Sequence, residues 1–226
     1  FSLNASCSSG PPRVNETVSE RLSREKAFAL FPELQRIAPE LTLYAELLRR
    51  WQAKINLVAP NTLSEIWVRH FADSAQVQAA APQARIWADL GSGAGFPGLV
   101  TALLLKGQSG ATVHLIESDQ RKGAFLRAVS RETSAPAEIH IGRIEDVLPD
   151  LEGSIEAVSA RALAPLSDLM RLTGKYLEKG AKGVFLKGED WREELTPIEH
   201  ETNFSFSTID SRTHPRARLI LVAARH

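Results

Sequence analysis

Gly91, Gly93 and Gly95 alternate with Ser92 and Ala94 directly after Asp89-Leu90, and the stretch closes on Phe96-Pro97-Gly98. Glycines at this density allow a sharp backbone turn and the close approach of a ligand. A helix starting at Leu99 would add its unpaired first-turn amides to the same place, with Pro97 suited to its first turn. The chemistry implied is the binding of a nucleotide-bearing cofactor. Glu117 closes the next apolar run, where a carboxylate holds ribose hydroxyls. Gly142-Arg143-Ile144-Glu145-Asp146 closes the one after, where backbone and carboxylate groups meet an adenine. Arg161 and Lys187 lie at two later apolar runs, and Lys187, ending its strand, points toward the edge of the sheet where such ligands bind.

Two cofactors fit this pattern. Gly93-x-Gly95-x-x-Gly98 matches the dinucleotide fingerprint and, with Glu117, describes an NAD-dependent oxidoreductase. Gly91-x-Gly93-x-Gly95 after Asp89 is the usual loop of S-adenosylmethionine-dependent methyltransferases. The alternation downstream decides between them. It forms one run of five strands closing with two consecutive strands, not two matching mononucleotide halves. Methyl transfer is favoured. A third reading, from outside the enzymes, is a cofactor-binding assembly factor without turnover.

The elements that must position these residues follow from the apolar pattern. Strands are predicted at 85–90, 112–117, 138–141, 155–160 and 183–187, with helices at 99–105, 120–132, 165–176 and 190–198. The last two runs, 204–209 and 218–223, have no helix between them and predict an antiparallel end to a mostly parallel sheet. The fold class is therefore α/β: a Rossmann-like class I methyltransferase with a seven-stranded sheet and an N-terminal helical cap. Residues 1–15 read as a disordered tail or tag remnant, 16–82 as the cap and 83–226 as the methyltransferase domain. In the cap, Leu41, Tyr44, Leu47, Leu48, Trp51 and Ile55 share a helical face. Thr62 and Glu65 read as a capping box for a second helix. Trp51 and Trp67 read as core, and His70 and Asp73 as a pair of mainly structural importance.

The chain has 226 residues, 43% of them hydrophobic, and 27 basic against 27 acidic residues. Zero net charge argues against a nonspecific RNA coat and is silent about a local basic face. One cysteine excludes an internal disulfide and fits a reducing compartment. No apolar run approaches the ~18 residues that span a bilayer. The six histidines are scattered along the chain, which predicts no metal site. Arg121, Lys122, Arg127 and Arg131 read as a solvated helix face. Arg212, His214, Arg216 and Arg218 cluster before the last strand and suit phosphate contact. Arg161 is weighed evenly between a ligand contact and a pairing with Asp89 or Glu117.

From Leu41 to Arg225 the sequence resembles the ribosomal small-subunit methyltransferase G family, also called glucose-inhibited division protein B. The motifs are Gly91-Ser92-Gly93-Ala94-Gly95-Phe96-Pro97-Gly98, Arg69-His70-Phe71-Ala72-Asp73-Ser74, Ser159-Ala160-Arg161-Ala162, Leu186-Lys187-Gly188 and the closing strand from Arg218. Val58 and the Ser-Ala-Arg spacing depart from the family pattern. The resemblance implies N7 methylation of one guanine in 16S rRNA of the small ribosomal subunit, with S-adenosylmethionine, in the bacterial cytoplasm; a monomer is expected, though the sequence leaves oligomeric state open. On matching positions it implies cofactor contacts from Gly91 and Phe96, adenosine contacts from Ile144 and Glu145, and a methyl-donor or RNA contact from Arg161. Gly93, Gly95 and Glu117 complete the expected cofactor set; Arg216, Arg218 and Lys187 are the expected RNA contacts. Guanine N7 bears a lone pair and no proton, so no general base is expected. Arg161 and Lys187 are then positioning contributors, not a catalytic pair.

Overall fold

The computed structural model describes residues 17–151, 153–200 and 203–225; the tail expected at 1–15 lies outside them. Seven strands form one sheet: β1 (Ile86–Leu90), β2 (Thr112–Glu117), β3 (Ala137–Ile141), β4 (Ala157–Arg161), β5 (Lys182–Lys187), β6 (Phe204–Asp210) and β7 (Arg218–Ala224). Their order is β3-β2-β1-β4-β5-β7-β6. Strands β1 to β5 are mutually parallel, and β7 inserts antiparallel between β5 and β6. The chain winds outward from β1 in one direction and from β4 in the other. Ligands of open sheets bind at the carboxyl ends of the strands beside such a reversal.

The central strands β1, β2, β4 and β5 are largely apolar because both of their faces are covered. Trp87, Val113, Leu115 and Val184 pack on one side with α4 (Gly98–Leu105), α5 (Gln120–Thr133) and the N-terminal helices. Ala88, Ile116, Val158 and Phe185 pack on the other with α7 (Leu166–Glu178) and α8 (Trp191–Leu195). Every residue of α4 is buried, so this helix carries no polar face. The short α6 (Ile144–Val147) follows β3.

The N-terminal helices α1 (Val18–Leu30), α2 (Ala38–Gln52) and α3 (Asp73–Ala80) share the first of these cores with the sheet. Polar ties reinforce the seam. Arg36 donates to the Leu104 carbonyl (2.6 Å) at the end of α4, where a cation suits the helix dipole. Lys106 donates to Glu40 (2.9 Å) and to the Thr133 carbonyl (2.8 Å), and it holds the Glu40 carboxyl below its ordinary value.

The segment before α3 departs from the sequence expectation. Pro60 starts a 3₁₀ turn over Pro60–Glu65, and Thr62 lies inside it. Its hydroxyl donates back to the Ala59 carbonyl (2.7 Å) instead of capping a helix. A π-helical turn, Trp67–Ala72, then leads into α3. Such widened turns collect at functional sites. The helix expected at 190–198 is confined to α8.

Candidate functional site

The glycine loop hangs from a buried acid. Asp89 is fully enclosed at the end of β1 and accepts hydrogen bonds from Ser159 Oγ (2.7 Å) on β4 and from the Gly98 amide (3.2 Å) at the start of α4. Burial pushes its carboxyl up to about 6 despite these donors. At Gly98 a Cβ would run into Leu115 and into the Asp89 carboxylate, 2.6 Å from Oδ2. The acid clasps the strand to the helix, and Gly98 lets the two meet.

Between these ends the loop presents Gly93 with φ +57° and no neighbour closer than the Gly91 carbonyl, 3.8 Å from where a Cβ would stand. That side is open toward a cavity of about 480 Å³. Glu117 lines the cavity beside Gly93. Its two oxygens accept from the Gly93 amide (2.8 Å) and the Asp119 amide (2.8 Å), which fixes the carboxylate and leaves lone pairs for further donors. Ile144 and Glu145 line the same cavity from the start of α6. Gly95 and Phe96 face the other way: a Cβ on Gly95 would strike Leu99 and the Tyr44 hydroxyl, each at 2.5 Å. Phe96 is buried between the rings of Tyr44 (5.2 Å) and His70 (4.7 Å). Tyr44 in turn donates to the Ala94 carbonyl, so α2 holds the loop's shape from behind.

A second cavity, about 720 Å³, adjoins the first. Ala162, Leu163 and Ala164 line both. Ala162 adopts φ +51°, a left-handed conformation that costs an alanine about 1 kcal/mol. Beyond this wall stands Arg161, at the end of β4. It donates to Asp73 Oδ2 (3.1 Å), the Arg69 carbonyl (3.3 Å) and His70 Nδ1 (2.9 Å), and lies 5.3 Å from the Phe96 ring centre. Its acid is thus Asp73 of the cap, not Asp89 or Glu117.

Because an arginine only donates, His70 Nδ1 accepts and Nε2 carries the proton. That proton is donated to Thr62 Oγ1 (2.8 Å). Burial, with Arg161 and Arg69 nearby, lowers the His70 pKa to about 3, so the ring is neutral. Asp73 also accepts from Thr213 (2.5 Å), and Gln76 joins the cluster by donating to Asp73 Oδ1 (2.9 Å) and Ser211 (3.1 Å). Cap, β4 and the β6–β7 loop therefore meet at Arg161.

Lys187 lines this cavity with its ammonium engaged by the Ala164 carbonyl (2.5 Å) and Glu194 (2.6 Å). Arg218 is held by Asp210 (2.8 Å) and by the Ala217 carbonyl (2.8 Å). Arg216 is exposed at the rim and pairs with Glu189. The structure thus gathers Gly91, Gly93, Glu117, Ile144 and Glu145 around the first cavity, and Arg161 and Lys187 around the second. Asp89, Tyr44, Gln76 and Thr213 stand outside the sequence-based set. Asp89 was signalled by its place before the loop. Thr213 and Gln76 carry no local pattern, being 137 residues apart and joined only by the fold.

The scattered histidines are not all apart in space. Strand pairing sets His114 opposite Glu138, with His140 two residues on along the same face. Neighbouring parallel strands bring these two distant positions together, which spacing along the chain does not record.

A single-run sheet ending in an inserted antiparallel strand, with a glycine loop at the reversal, is the methyltransferase architecture. The O-methyltransferase TomG from Streptomyces achromogenes, solved in complex with SAM, superimposes with TM-score 0.59 at 15% identity, covering 83% of this chain and 90% of that one. Cofactor-bound Rv0187 from MTB gives 0.61 at 15% identity over the same shares. These likenesses concern the fold. The sequence carries the matter further. Residues 37–218 match the family model for rRNA small subunit methyltransferase G. Ribosomal RNA small subunit methyltransferase G of Bradyrhizobium sp. strain BTAi1 is 48% identical over 87% of this chain and 88% of its own length. The protein of that name from Methylobacterium sp. strain 4-46 is 44% identical over 89% and 95%. The chain belongs to the rRNA small subunit methyltransferase G family.

Proposed function

We propose that this chain transfers a methyl group from S-adenosylmethionine to N7 of one guanine in 16S rRNA of the small ribosomal subunit. The observation that carries this reading is the pair of cavities joined along Ala162–Ala164. The first fits the cofactor: the space at Gly93 admits close backbone approach, and Glu117 keeps lone pairs for the ribose hydroxyls. Gly91, Gly93, Glu117, Ile144 and Glu145 would hold it, with Gly95 and Phe96 fixing the loop from the cap side. When bound, S-adenosylmethionine supplies an electrophilic methyl on a sulfonium.

The second cavity suits an acceptor that needs no deprotonation. Asp73, Glu189 and Glu194 are each committed to a cation, and both ring nitrogens of His70 are engaged. Half-buried His214 accepts from the Arg216 amide through Nδ1 (3.4 Å). Guanine N7 attacks through its own lone pair, so these residues act by orienting the base and excluding water. The N7 edge lies deep in the major groove of an A-form helix, which requires an unpaired or splayed target. Arg161 orients the acceptor; Arg216, with Arg218 and Lys187 behind it, meets the RNA backbone. In this reading residues 16–82 cap the site and 83–226 carry the transfer.

No helix among the described residues is long and apolar enough to cross a membrane. We read the enzyme as a cytoplasmic monomer, which light scattering checks. The deciding experiment is methyl incorporation from labelled S-adenosylmethionine into small subunits from cells lacking this protein, with the modified base mapped. Label at one guanine N7 supports the proposal. Cofactor binding without incorporation overturns it in favour of an assembly factor.

A further inference from the structure

Away from both cavities, His114, Glu138 and His140 share one face at the edge of the sheet, and their ligand atoms all lie within 4.8 Å of one another. We propose that these three side chains form a site for a divalent transition metal of the zinc type, stapling edge strand β3 to β2.

The geometry is set by backbone pairing. His114 on β2 stands opposite Glu138 on β3, and His140 follows at the next position of the same face. His114 Nδ1 is 3.1 Å from His140 Nε2 and 3.5 Å from Glu138 Oε2. Bonds of about 2.0–2.1 Å to a tetrahedral Zn²⁺ place neighbouring ligand atoms about 3.3 Å apart, between these two separations. Only small rotamer adjustments about a shared centre are needed. A cation would then replace the proton that now bridges the two rings.

The chemistry of the set fits as well. Two imidazoles and one carboxylate are ligands that zinc takes in common. Burial shifts His114 downward from its ordinary value, toward the neutral form in which imidazole ligates, and Glu138 adds a carboxylate. Glu138 is exposed, which leaves a fourth position for water. Strands hold ligands more rigidly than loops do. The site is independent of the proposed methyl transfer, since none of the three residues lines either cavity.

The test uses the full chain freed of metal, titrated with Zn²⁺ by calorimetry and with Co²⁺ by visible absorption. One equivalent is expected to bind, with the absorption of a tetrahedral Co²⁺ centre and a rise in melting temperature. His140→Ala should lose all three signals, and Glu138→Gln should weaken binding, while both keep the wild-type circular dichroism and cofactor affinity. Because both residues sit on the open edge, neither substitution removes core packing. No binding by the wild-type chain, or binding unchanged in both variants, overturns the proposal.

Discussion

Arg161 is the residue on which three parts of the chain converge, and its surroundings make its removal informative. With side chains only 19% and 12% exposed, the Arg161–Asp73 pair is largely shielded from water. Breaking it from one side leaves a charge uncompensated, which costs about 3 kcal/mol for buried pairs. Asp73→Asn should lower stability by that order in urea unfolding. It should also slow methyl transfer while leaving calorimetric cofactor affinity unchanged, because Asp73 lines only the second cavity. Gly93→Val should behave in the opposite way. Nothing crowds that position, so folding survives with a strain of about 1–2 kcal/mol. The added side chain fills the cofactor's approach, and binding should vanish in calorimetry. Normal binding by this variant would displace the loop from the site.

Among the elements, β1 and the π-helical turn carry buried groups that titrate in opposing senses. His70 has a folded-state pKa of about 3, below the ordinary 6.5, so its contribution is present above pH 6.5 and is lost as pH falls toward 3. Asp89 has a folded-state value of about 6, above the ordinary 3.8. Its burial therefore weighs against the fold as pH rises from 3.8 through 6, by roughly 3 kcal/mol in full. Wild-type stability should fall only gently as pH drops below about 6.5, because the Asp89 gain partly offsets the His70 loss from the start. His70→Gln, which can keep both hydrogen bonds, should remove that fall and uncover the Asp89 slope. Urea midpoints for this variant should then rise as pH drops from about 6 to about 4. A flat profile would mean that the buried acid does not titrate.

The same elements separate what the sequence makes legible from what it does not. The glycine loop, the strand ends at Glu117 and Lys187, and the antiparallel close are visible because each is written locally, in residue type and period. Thr62 was misleading for a local reason too: its spacing to Glu65 imitates a capping box, but Pro60 starts a tighter turn first. The ring around Arg161 is of another kind. Asp73, Gln76 and Thr213 become neighbours only when the β6–β7 loop folds back on the cap, and no periodicity records that. The metal candidate is equally silent, since it depends on the register of two strands.

At the scale of the whole molecule, net charge is zero, and the rim of the second cavity likewise pairs its cations with acids. Arg216 is exposed there, and its pairing with Glu189 is a surface contact of small worth. RNA phosphate can therefore take over the guanidinium at little cost. Arg216→Ala should weaken binding to small subunits and reduce its salt dependence by about one phosphate contact, with cofactor affinity intact. Filter binding over a range of salt measures both. An unchanged salt slope would move the RNA contact elsewhere on the surface.

The meeting of cap, β4 and hairpin loop at one guanidinium also bears on how such a chain changes over generations. Asp73 answers to Arg161 on one oxygen and to Thr213 and Gln76 on the other. A substitution at any of these positions leaves its neighbours with an unmet donor or charge, so drift at 73 is tolerated only in company with 161, 76 or 213. Segments more than 130 residues apart are thereby bound to a common history, and a cap borrowed from a distant relative would arrive without its counterparts.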